Sequence, residues 1–171
     1  AAVRREEFVP PAYRALAFID TEVPLPEGQC MLAPRVEARL LQELRLARHE
    51  SVLEVGAGSG YMAALLAHQS QRVTTLEIRP ALAAMARANL QRAGIGNAQV
   101  IEADGAKGHA AQAPFDAIVL SGSVADVPAA LLAQLKTGGR LVAIVGQEPV
   151  MRALLITRIA LQQYKRVELF D

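Results

Sequence analysis

Residues 52–67, VLEVGAGSGYMAALLA, set an apolar run ending in an acid directly before glycines at 56, 58 and 60 and an Ala/Leu-rich helical stretch. A chain with this order passes from a strand through a sharp turn into a helix, because alternate glycines supply backbone conformations that other residues resist. The bare loop lets a ligand approach the main chain, and the helix that follows aims its free N–H groups at the same place. The pattern therefore predicts an α/β unit carrying a nucleotide-type cofactor site. A dinucleotide fingerprint, G-x-G-x-x-G/A, needs its third small residue at position 61, where this chain has Tyr61. A phosphate-cradling G-x-x-x-x-G-K-[ST] fails because no Lys follows Gly60.

The remaining pattern, E-x-G-x-G-x-G from Glu54 to Gly60, resembles the first motif of the Rossmann-like methyltransferases that use S-adenosylmethionine (SAM). Two later features agree with it. A second strand-like run, TTLEI at 74–78, brings Glu77 to a strand end 21 residues after Gly56, the offset at which an acid holds ribose hydroxyls. A third run at 98–101 leads into Glu102-Ala103-Asp104-Gly105, where Asp104 is placed to accept from an adenine amino group.

Composition excludes several other classes. The single cysteine, Cys30, forms no internal disulfide framework and no zinc site by itself. Basic and acidic residues number 18 and 17, scattered rather than blocked, and Trp is absent, so neither a nucleic-acid nor an acidic-membrane surface is expected. No apolar run approaches the length of a membrane span, and the charged start AAVRREEFVPP does not read as a signal peptide; a cytoplasmic protein is the expectation.

Strand-like runs alternate with helical patterns along the rest of the chain. This predicts an α/β, doubly wound, mostly parallel sheet with helices on both faces and an antiparallel C-terminal strand pair. Val36, Leu40, Leu41 and Leu44 recur at helical spacing after Pro34, strands are expected at 51–55, 73–78, 98–101, 115–120 and 140–145, and helices reach about His68 and Ala93. A further helix is expected from Pro128, closed by Gly138-Gly139. Residues 151–171 read as two strands around a polar break, with a helix over 151–159 as the alternative. The chain is expected to form one domain, with N-terminal helices and a substrate loop in 1–48 and the cofactor-binding core in 49–171.

The motifs then converge on one family. VPLPEGQ at 23–29, Ala33-Pro34, the glycine loop, EADG at 102–105, APFDAIVLSG at 113–122 and PAALLAQLKTGGRLVAIVG at 128–146 together resemble the protein-L-isoaspartate O-methyltransferases. Members usually carry more helix before this point. The resemblance implies methyl transfer from SAM, giving S-adenosylhomocysteine, to the free carboxylate of isoaspartyl residues in damaged proteins or peptides. It also implies that Gly56, Ala57, Gly58, Ser59 and Gly60 face the methionine part of SAM with Glu54 supporting the loop. Glu77 would hold the ribose, Ile78 would lie against the adenine, and Asp104 with Gly105 would bind the adenine edge.

One stretch departs from the family. Its substrate loop reads close to Gly-Gln-Thr-Ile-Ser, with the Ser beside the transferred methyl; here Gly28-Gln29-Cys30-Met31-Leu32 puts Cys30 at the Thr and Leu32 at the Ser. Leucine donates no hydrogen bond to a carboxylate. The sequence leaves open a weaker isoaspartyl enzyme, a different acceptor, or a non-catalytic SAM-binding module, and Met31 and Leu32 also read as core residues flanking the loop. Cys30 reads as a small buried or partly buried residue. Lys107 and His109 read as solvated loop residues, His49 and His68 as helix-end residues, and Ser121 and Ser123 as bordering the crevice after the fourth strand.

Overall fold

The computed structural model describes residues 3–147 and 150–170. Short 3-10 turns at Arg5–Glu7, Pro11–Leu16 and Pro26–Gly28 and a two-residue ribbon, β1 (Val23–Pro24) against β2 (Cys30–Met31), precede the first α-helix, α1 (Pro34–Leu44). The prolines at 10, 11, 24 and 26 remove N–H donors that a longer helix needs, so the helices expected in 1–48 reduce to α1. The chain then alternates: β3 (Ser51–Val55), α2 (Tyr61–Gln69), β4 (Arg72–Glu77), α3 (Pro80–Arg92), β5 (Ala98–Glu102), β6 (Phe115–Val124), α4 (Ala129–Ala133) and β7 (Leu135–Gln147). It ends in the hairpin β8 (Val150–Ala160) and β9 (Gln163–Phe170).

The seven long strands form one sheet in the order β5-β4-β3-β6-β7-β8-β9, parallel through β7 and antiparallel beyond it. Strand alternation sorts the side chains onto two faces. Val52, Val73, Val100, Ala117, Val119 and Val142 meet Leu40 and Leu44 of α1, Met62 and Leu66 of α2, and Ala83, Ala86 and Leu90 of α3. Leu53, Leu76, Ile118, Leu120 and Leu141 pack on the other face with Leu131 and Leu132 of α4. A third cluster joins Val9, Ala17, Val23, Leu25 and Met31 to Leu82 of α3, which fastens the N-terminal segment over the carboxyl ends of the strands. Because the chain runs outward from β3 to β5 and then returns to β6 on the other side of β3, the carboxyl end of β3 is the switch point where such sheets open a crevice.

Two expectations require correction. The helix from Pro128 does not reach Gly138-Gly139: α4 stops at Ala133, and both glycines lie inside β7. They form an irregularity in which Phe115 pairs with Leu135 and Ala117 with Arg140. A Cβ on Gly139 would stand 2.8 Å from the Lys136 carbonyl oxygen, so glycine serves close backbone approach here rather than helix termination. Likewise β6 continues past Leu120 to Val124, with a register shift between Val119 and Ser123 that carries Ser121 and Gly122 out of the ladder and toward β3. The hairpin reading of the C-terminus holds, and the alternative helix over 151–159 does not form.

Candidate active site

At the switch point the glycine loop adopts the conformations its residues allow: Gly56, Gly58 and Gly60 all have positive φ, at +93°, +52° and +90°. The Gly56 N–H donates to the Leu76 carbonyl at 2.8 Å, and a Cβ added to Gly56 would lie 3.9 Å from the Gly122 N, so this residue sits between the ends of β4 and β6. Glu77 braces the loop. Its Oε1 accepts from the Gly58 N–H and its Oε2 from the Arg79 N–H, each at 3.1 Å. Asn89 of α3 donates to the Ser59 carbonyl at 2.9 Å, which ties the loop to the next helix.

Two depressions meet at Gly56. One is lined by Gln29, Leu76, Glu77, Ile78, Asp104 and Gly105. The Asp104 carboxylate already accepts from the Ala106 N–H at 3.0 Å, capping its own turn, and Ile78 is 58% exposed on the rim. Gly105 admits no side chain, because a Cβ there would stand 2.2 Å from Val55 Cγ1. The other depression is walled by the glycine loop and by Leu25, Leu32, Glu37, Glu54, Tyr61 and Ser121.

Glu54 is fully buried. Thr75 Oγ1 donates to its Oε1 at 2.7 Å and Ser121 Oγ donates to its Oε2. It therefore ties β3 to β4 and β6, whereas the expected support of the loop amides comes from Glu77. Burial pushes the Glu54 carboxyl up to about 8, against the lowering effect of the two hydroxyls. Glu37 on α1 is buried too and is pushed up to about 7 by burial, which outweighs its Arg5 partner. Arg5 Nη1 donates to Glu37 Oε1 at 2.5 Å, Arg5 Nη2 to the Leu32 carbonyl at 3.2 Å, and the guanidinium lies 4.9 Å over the Tyr61 ring.

The structure thus gathers Glu54, residues 56–59, Cys30, Leu32 and Ser121 on one side of Gly56, and Glu77, Ile78, Asp104 and Gly105 on the other. Met31 is buried in the third core cluster, and Leu32 is half-buried against the first. Cys30 is exposed as a residue while its thiol is partly desolvated; Sγ lies 3.6 Å from Glu22 Oε2, and that desolvation, with the carboxylate, raises the thiol. Lys107 and His109 line neither depression, since Gln134 clamps their backbone: its Nε2 donates to the Lys107 carbonyl and its Oε1 accepts from the His109 N–H. His68 is in the last turn of α2, but His49 stands in the turn before β3, beyond the end of α1. Ser123 is a β6 residue whose side chain lies outside the described ones.

Arg5, Glu37 and Tyr61 are the site residues that sequence reading misses. Glu37 shares the stripe of Leu40 and Leu44, so a charged residue on an otherwise apolar helix face is the available signal. Arg5 carries none, being 32 positions from its partner.

Residues 1–168 match the family model described as Protein-L-isoaspartate(D-aspartate) O-methyltransferase (PCMT). The chain belongs to this family. Its relatives include a protein-L-isoaspartate O-methyltransferase of Koribacter versatilis, 43% identical over all of this chain and 77% of that protein. One of Rhodopseudomonas palustris is 42% identical over 99% of this chain and 78% of its own length. Among solved structures, a protein-L-isoaspartate O-methyltransferase superposes with a TM-score of 0.83 at 26% identity, over 98% of this chain and 56% of that one. A Plasmodium falciparum structure of a protein assigned to the same family, in complex with S-adenosyl-L-homocysteine, gives 0.82 at 24% identity over 99% and 84% of the two chains, a likeness of fold. Family membership makes the chain a SAM-dependent methyltransferase.

Proposed function

We propose that the two depressions joined at Gly56 form one SAM site, and that the chain methylates the free carboxylate of isoaspartyl residues in proteins or peptides. The observation that carries this reading is the division of labour across Gly56. On one side a strand-end acid, Glu77, sits beside an open rim suited to a ribose and a flat base; on the other, a chamber holds two buried carboxylates beside bare backbone. That donor set fits SAM, whose sulfonium and ammonium are cations and whose ribose presents hydroxyls. Gly56, Ala57, Gly58 and Ser59 with Glu54 hold its amino-acid part while Gly60 packs the end of the loop against α3; Glu77 holds its ribose, and Ile78, Asp104 and Gly105 its adenine. Residues 1–48 supply the substrate side of this single domain and 49–171 the cofactor side. Among the described residues no helix is long and apolar enough to cross a membrane. A cytoplasmic setting, where damaged proteins are the substrates, is part of the same reading.

When bound, SAM supplies a methyl on a sulfonium: a carboxylate oxygen bonds to the methyl carbon, the carbon–sulfur bond breaks, and its electron pair stays on sulfur. A carboxylate is already ionised at neutral pH, so the protein supplies no general base. Its part is alignment and exclusion of water. Leu25, Met31, Leu32 and Met62 provide a dry wall, and the Ser121 hydroxyl is occupied by Glu54. The same apolar wall, with Leu32 in place of a hydroxyl, favours as a second reading a SAM-dependent transfer to a more apolar acceptor. Base-labile methyl ester formed on an isoaspartyl peptide and not on its aspartyl twin supports the first reading; turnover with another acceptor alone supports the second.

The two buried carboxyls also couple the cofactor to pH. Both are raised from 4.5, to about 7 for Glu37 and about 8 for Glu54, so the native state binds more protons than the unfolded state across that window. Stability of the cofactor-free protein is therefore expected to fall as pH rises from about 4.5 to about 8. A cation placed in the chamber favours the ionised carboxylates, so SAM is expected to bind more tightly at pH 8 than at pH 6, with release of protons and an affinity gain of up to about tenfold per pH unit per proton released. S-adenosylhomocysteine, which lacks the sulfonium, should show a shallower slope. Titration calorimetry in buffers of different ionisation enthalpy measures the proton release, and a SAM affinity independent of pH would contradict the placement.

A further inference from the structure

Beyond its charge, Glu37 is set into the chamber wall in a way that the handling of SAM does not account for. Arg5 engages only one of its oxygens, Oε1. Among the described residues Oε2 has no hydrogen-bond donor, and Glu37 lines the chamber with Leu32 and Tyr61. Arg5 is itself 6% exposed and contacts all three: Glu37 through Nη1, the Leu32 carbonyl through Nη2 and the Tyr61 ring by its face. A buried guanidinium thus fixes one Glu37 oxygen in the wall that α1 shares with Leu32 and Tyr61.

We propose that Glu37 determines acceptor specificity: Oε2 accepts a hydrogen bond from the amide N–H of the isoaspartyl residue itself, and Arg5 is the positioning residue behind it. The inference rests on the isoaspartyl reading above. In an isoaspartyl residue the amide nitrogen and the free carboxylate are attached to the same carbon, whereas in an aspartyl residue the side-chain carboxylate is one methylene farther away. An acceptor for the N–H fixed on one wall, with methyl transfer at the other, discriminates between these two separations. An ionised Glu37 also repels a carboxylate that approaches it directly, which turns the substrate so that its N–H faces α1 and its carboxylate faces the glycine loop.

The test uses two isoaspartyl peptides of one sequence, the second N-methylated at the isoaspartyl amide so that the donor is lost. For the wild-type protein kcat/KM is expected to be about tenfold or more lower with the methylated peptide, the loss that follows from leaving a buried acceptor unpaired. In Glu37→Gln, Arg5 holds the amide oxygen and the NH2 group faces the substrate donor. The preference, measured at saturating SAM, should then shrink to about twofold, mainly through slower turnover of the unmodified peptide. Equal use of both peptides by the wild type, or an undiminished preference in Glu37→Gln, overturns the proposal. The wild-type comparison stands even where the variant does not fold. A wild-type protein that binds SAM and methylates neither peptide overturns the isoaspartyl reading and this inference with it.

Discussion

Leu32→Ser is expected to raise methyl transfer to an isoaspartyl peptide by roughly a hundred- to a thousand-fold, the scale on which a single well-placed donor acts at a reacting oxyanion. The anchor at this position is the main chain: Arg5 donates to the Leu32 carbonyl, a bond the serine variant keeps. The side chain is half-buried against the first core cluster and lines the chamber, so the change costs about 1–3 kcal/mol of packing while introducing a hydroxyl beside the acceptor. The gain should fall on kcat with little change in SAM affinity, because the residues that bind SAM in this reading lie on β3 and β4 and in the loops that follow β3, β4 and β5. An unchanged rate in a folded variant that binds SAM would refute a substrate role for position 32.

Gly60→Ala is expected to be the most damaging small substitution in the cofactor loop. The residue has φ of +90°, and a Cβ would lie 3.2 Å from the Ala86 carbonyl oxygen and 3.3 Å from Leu90 Cγ. Left-handed strain of about 1–2 kcal/mol adds to an overpacking cost of about 1–3 kcal/mol against α3, since a helix backbone yields less readily than a side-chain tip. Together these should lower the unfolding midpoint by roughly 5–15 °C. Pushing α3 outward also stretches the Asn89 bond to the Ser59 carbonyl, so SAM affinity should fall by about tenfold or more, about 1.4 kcal/mol. Gly94→Ala is the informative control. It also has positive φ, but its Cβ would meet nothing within 4 Å, so it should show the strain alone and leave SAM binding intact.

Both substitutions fall on stretches that local sequence pattern makes legible. The glycine loop with its flanking strand and helix is readable because three alternate glycines after an apolar run permit a sharp turn that other residues resist, and Glu77 is readable from its offset. Gly138-Gly139 misleads because glycine ends helices and also permits close strand contacts, and only the β6–β7 register distinguishes the two. Glu54 reads as a support of the glycine loop because that loop is adjacent in sequence. Its partners are instead hydroxyls on neighbouring strands, 21 and 67 positions away, and the loop amide goes to Glu77. The N-terminal helices are an expectation that goes with the family resemblance, and the prolines at 10, 11, 24 and 26 leave short 3-10 turns in their place. Arg5 and Glu37 depend on the N-terminal segment folding back across α1, a long-range contact that local pattern does not encode.

The most direct test of the proposed activity is methyl transfer from labelled SAM to an isoaspartyl peptide, with its aspartyl twin as control and SAM affinity measured on the same protein. The expected result is SAM binding together with base-labile label on the isoaspartyl peptide alone. SAM binding with no label on either peptide, or equal label on both, would contradict it.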